Sequence, residues 1–166
     1  WAEIGLSTVL VGFEKFREEE LTDLRKRSTV EANEEAARIL RANGVDIWGA
    51  FIVDPSWGKS DFAALAEYVR RLKISFPQFT VLTPLPGTEF FREKVKELTT
   101  RNYELFDFLH SVLPTRLPAG EFYSEMAHLY ASTTMSLSEL RDRIRSGRIQ
   151  ASGLQRIKNL LSEVTN

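Results

Sequence analysis

Hydrophobic positions along the chain fall into two alternating kinds of segment: short apolar runs, and longer stretches in which apolar residues recur every three or four positions. Val9, Leu10, Val11 and Phe13 make the first run, which closes on Gly12-Phe13-Glu14. No polar residue alternates within it, which predicts a strand over 7–14 buried on both faces. Val45 to Val53 predicts a second strand and Phe79 to Leu82 a third, each preceded by a helical pattern. Ser28-Thr29-Val30-Glu31 fits a capping box, Ala32, Ala36, Ile39 and Leu40 form the stripe behind it, and Asn43-Gly44 supplies the stop. Ser60 or Asp61 caps the next helix, in which Phe62, Leu65, Ala66, Val69 and Leu72 share a face. Thr88 is the expected N-cap of a helix with Phe91, Val95 and Leu98 inward. A shorter helix is expected over 18–25, with acids in its first turn and basic residues at its end, as the helix dipole favours.

Helices alternating with apolar strands indicate βαβ units and a parallel sheet, here of three units. Beyond Thr99 the pattern predicts a short strand within Tyr103 to His110, a turn between Pro114 and Pro118, and helices to the end. Their stripes are Phe122, Met126, Leu129 and Tyr130; then Leu137, Leu140 and Ile144; then Leu154, Ile157, Leu160, Leu161 and Val164. The expected division is an α/β part over 1–115 and a helical extension over 116–166. Three parallel strands make a narrow sheet whose first strand is left at an edge, so self-association through 9–13 is expected. The opening Trp1-Ala2-Glu3-Ile4-Gly5, which leads almost directly into a buried strand, reads as a piece cut from a longer protein.

Composition narrows the chemistry. With 22 basic against 23 acidic residues, nothing in the overall charge favours a nucleic-acid partner. No apolar run is long enough to span a bilayer, and the N-terminal residues lack the pattern of a signal peptide, which points to the cytoplasm. The arginines at 141, 143, 145 and 148 suggest contact with an anionic membrane surface, diluted by Glu139 and Asp142. Cysteine is absent, which removes disulfides, thiolate nucleophiles and cysteine-ligated metal centres from this chain. His110 and His128 do not pair as metal ligands and read as structural.

Taken in order, Gly12-Phe13-Glu14, Lys26-Arg27-Ser28-Thr29, Asn43-Gly44-Val45, Phe51-Ile52-Val53-Asp54-Pro55 and Leu82-Thr83-Pro84-Leu85-Pro86-Gly87-Thr88-Glu89 resemble the second half of a radical S-adenosylmethionine barrel. The resemblance covers about residues 5–98. It is nearest to members with a cobalamin-binding domain, such as the hopanoid C-3 methylases, and the segment from Phe106 to Thr115 is similar to the tail of that subgroup. It implies a partial (β/α) TIM-like barrel followed by a helical tail. It also implies a parent enzyme that methylates an unactivated carbon of a polycyclic triterpenoid, using S-adenosylmethionine, a 4Fe-4S cluster and cobalamin. Carried over position by position, Glu14 would meet the ribose hydroxyls, Lys26 the methionyl carboxylate, and Gly49, Phe51, Leu82 and Thr83 the adenine. Asp54 and Trp57 would face the substrate.

Two departures stand out. Val53-Asp54-Pro55 sets a charged side chain where the family commonly has glycine, and the CxxxCxxC motif that ligates the cluster is absent, so cluster and cobalamin would be held outside this chain. By itself the chain is expected to be inactive. A reading of another class stays open: a non-catalytic α/β module whose helical tail binds a partner.

Overall fold

A computed structural model describes residues 1–14 and 29–134, together with Arg141 and Arg145 singly. Three parallel strands lie in sequence order: β1 (Thr8–Glu14), β2 (Asp46–Val53) and β3 (Phe76–Val81). α1 (Val30–Ala42) and α2 (Lys59–Leu72) make the crossovers; α3 (Glu89–Lys94) and α4 (Ala119–Thr133) follow β3. The expected helix over 18–25, and those carrying Leu137 and Leu154, fall outside the described residues.

The helices begin where polar side chains can occupy their orphan amides. Thr29 accepts from Ala32 N–H and Thr88 from Phe91 N–H, both at 3.1 Å. α2 does not start at Ser60. Gly58 precedes its first turn, and Asp61 reaches back to accept from Gly58 N–H at 2.8 Å. α3 is shorter than its stripe suggested, ending at Lys94 with Val95 beyond it.

The strands differ from expectation in two respects. β1 buries one side chain fully, Phe13, whereas Leu10 is 66% exposed, because the described helices cover a single face of the sheet. β3 begins at Phe76, three residues early, and includes Pro77; a residue without an N–H is tolerated because, among the described residues, the outer side of β3 carries no further strand. The predicted strand within Tyr103 to His110 is instead a 3-10 turn, Tyr103–Leu105, followed by bends. Asp107 bonds the amides of Leu109 and His110, and Phe108 is left-handed at φ 66, which together preclude an extended run.

Facing residues of α1, α2 and α4 close over one side of the sheet. Phe13, Phe51 and Phe79 lie across the three strands, with Phe13 stacked on Phe51 at 5.3 Å and Tyr68 of α2 edge-on to Phe51 at 6.4 Å. Burying each phenylalanine contributes about 2–3 kcal/mol. The compact unit runs from Trp1 to Thr134, and α4 buries Phe122, Met126 and Leu129 in the same core. Tyr130 finishes the outer side of β3, its hydroxyl accepting from Phe79 N–H at 3.1 Å and donating to Phe79 C=O at 2.9 Å.

Candidate functional site

In a parallel sheet all C-terminal ends fall on one edge, and here the register Glu14↔Phe51 and Val53↔Val81 sets Glu14, Asp54 and Leu82-Thr83 along it. Loops leaving such an edge are free to differ while the strands hold them in place. Glu14 ends β1 at an irregularity: the pairing shifts between Gly12 and Glu14, and Glu14 takes a left-handed conformation with φ 59. A bulge of this kind re-aims the chain as it leaves the sheet. The carboxylate is half-buried there.

Asp54 sets the next turn. Its Oδ1 accepts from Ser56 N–H at 2.9 Å and its carbonyl from Trp57 N–H at 3.0 Å, an arrangement in which a short acid mimics a backbone turn. Leu82 N–H donates to Val53 C=O at 2.8 Å, extending the sheet by one bond, and the Thr83 hydroxyl donates to Val81 C=O at 2.9 Å. Thr83 is buried.

The remaining sequence-predicted positions lie elsewhere. Phe51 is fully buried on the helix-covered face, and a β-carbon on Gly49 would stand 2.9 Å from Ile74 Cγ2 and 3.2 Å from Phe13. Gly49 is therefore glycine because helix-side packing leaves it no room. Trp57 is turned into the core, edge-on to Phe62 at 5.7 Å, instead of towards the strand ends. Lys26 lies outside the described residues. Glu14, Asp54, Leu82 and Thr83 are thus brought to one edge, while the side chains of Phe51 and Trp57 belong to the core.

One pair beside this edge escaped the sequence reading. Phe108 C=O accepts from Val81 N–H at 2.7 Å, which brings the loop carrying Asp107 and His110 against the end of β3. His110 Nδ1 lies 2.9 Å from Asp107 Oδ2. The His110 and Leu109 amides, with a smaller contribution from the imidazole, hold the Asp107 carboxyl down at about 2. The signal was present as Asp-Phe-Leu-His, three residues apart in a turn-rich stretch, but a pair read as two separate residues is easily missed.

No family model matches the chain. It is 38% identical over 129 residues, 76% of its length, to a hopanoid C-3 methylase of Methylococcus capsulatus, covering 24% of that protein. It is 30% identical over 120 residues to a bacteriochlorophyllide d C-12(1)-methyltransferase and 28% over 117 residues to a bacteriochlorophyllide d C-8(2)-methyltransferase, both of Chlorobaculum tepidum. Each alignment covers about 70% of this chain and 26% of the relative. The chain therefore spans about a quarter of the length of the curated relatives it matches, and it is related to methyltransferases.

Proposed function

We propose that this chain forms part of a cobalamin-dependent radical S-adenosylmethionine methylase acting on an unactivated carbon of a polycyclic triterpenoid, and supplies one wall of the nucleotide and substrate site. The observation that carries the reading is Glu14, an acid held in a left-handed conformation at a bulged strand end. Strain of this kind is kept where the surrounding structure holds a residue in place, and it concentrates at functional sites. The sequential strand order with helices on one face supports a partial (β/α) barrel, in which chemistry gathers at the C-terminal strand ends.

These residues fit a nucleoside in part. The Glu14 carboxylate is an acceptor suited to two vicinal hydroxyls. Leu82 N–H is engaged by Val53, which leaves the Leu82 carbonyl and Thr83 N–H as the polar groups offered to an adenine edge. In the whole enzyme S-adenosylmethionine, cluster and cobalamin would supply hydrogen abstraction and the methyl group. The cluster does not fit this chain, which has no cysteine to ligate it.

A chimera tests the reading. The matching segment of the Methylococcus capsulatus hopanoid C-3 methylase is replaced by this chain, and methyl transfer to C-3 is followed by mass spectrometry. The chimera is expected to methylate, and Glu14→Ala within it to lower the rate at least about tenfold, the loss of one charge-assisted hydrogen bond. A folded chimera without methyl transfer, or one indifferent to Glu14→Ala, would contradict the assignment.

A further inference from the structure

Asp107 and His110 form an ordered pair that none of the roles above employs. The amides of Leu109 and His110 both donate to Asp107 Oδ1 at 2.9 Å, so the carboxylate stays ionised and can only accept. Its Oδ2, 2.9 Å from His110 Nδ1, then fixes the proton of a neutral imidazole on Nδ1 and leaves the Nε2 lone pair as an acceptor. Among the described residues nothing is bonded to Nε2, and the side chain is 51% exposed.

Both flanks of the loop are tied down. Phe108 C=O bonds Val81 at the end of β3, and Ser111 N–H donates to the Tyr123 hydroxyl of α4 at 2.9 Å. At the first of these ties Phe108 is held left-handed, a conformation costly for any residue with a β-carbon, and Phe108 and Leu109 are 43% and 57% exposed. A strained, anchored loop that keeps two large apolar side chains in water beside an acceptor of fixed direction is complementary to a ligand with an apolar body and one hydroxyl.

We propose that His110 Nε2 accepts a hydrogen bond from the hydroxyl of a polycyclic alcohol whose apolar body lies on Phe108 and Leu109, with Asp107 as the residue that positions the imidazole. The polycyclic character of this ligand rests on the proposed function; the alcohol and its acceptor rest on the loop. The site would select which substrate enters, apart from the nucleotide contacts at Glu14.

The test uses the full chain and two probes delivered from cyclodextrin, cholestanol and the hydrocarbon cholestane, with the ¹⁵N resonances of His110 followed by NMR. Cholestanol is expected to bind about five- to tenfold more tightly, the effect of one hydrogen bond, and to move the Nε2 resonance. Asp107→Asn offers an amide donor to Nδ1, so it should shift the imidazole proton to Nε2 and bring the preference close to one. His110→Ala should abolish the preference, and His110→Gln, whose amide reaches the place of Nε2, should restore part of it. Equal affinity for the two probes, binding of neither, or a preference that survives His110→Ala would overturn the proposal. Since S-adenosylmethionine takes no part, these outcomes are independent of the methyl-transfer assay in the chimera.

Discussion

Glu14 occupies backbone space that residues with a β-carbon enter at a cost of about 1–2 kcal/mol. Glu14 also has an interaction of its own, so the strain is best isolated by comparing two variants that both lack its carboxylate. Glu14→Gly is expected to exceed Glu14→Ala in unfolding free energy by about 1 kcal/mol in urea titrations, because glycine adopts the left-handed region freely. Equal stability would show that the bulge carries no strain. Other residues show what alternation along a strand leaves unsaid. That Gly49 and Phe51 point the same way follows from the period of two; that this way is the helix-covered face depends on Ile74, Tyr68 and the other strands. Trp57 follows a turn and carries a large apolar ring, and only the position of Phe62 shows that the ring closes the core.

Elements were legible wherever a local signal sufficed. Thr88 and the stop at Asn43-Gly44 act within a few residues, and the helices begin and end around them, whereas α1 is capped by Thr29, one residue beyond the Ser28 that opens the expected box. The misses turned on how an edge or a turn is used, which apolar spacing does not carry. β3 begins early because an outer strand tolerates Pro77, and residues 103–110 fail to extend because Asp107 offers their amides a closer acceptor. Tyr130 shows how one element completes another: its phenol serves both backbone groups of Phe79, and its ring stands edge-on to Phe79 at 4.9 Å. Tyr130→Phe keeps the ring and removes the hydroxyl, so it should cost about 1–3 kcal/mol and speed hydrogen exchange at the Phe79 amide. Unchanged protection of that amide would mean that the edge is held by other means.

Among the described residues of the compact unit from Trp1 to Thr134, one sheet face is packed and the other is open, with Leu10 and Trp48 side by side in register and 66% and 48% exposed. The outer side of β3 is served by Tyr130 and Phe108, whereas β1 pairs with β2 alone among the described strands. Association through β1 is therefore expected to grow with concentration in light scattering, and Leu10→Lys, a charge beside that edge, to suppress it. A constant monomeric mass across the concentration range would contradict this. The central claim is that three strand ends, Glu14 foremost, form part of a nucleotide site before any other part of the enzyme joins them. Calorimetric titration of S-adenosylmethionine into this chain tests it most directly. Weak, saturable binding that disappears in Glu14→Ala is the predicted result; no binding, or binding that Glu14→Ala leaves unchanged, would contradict it.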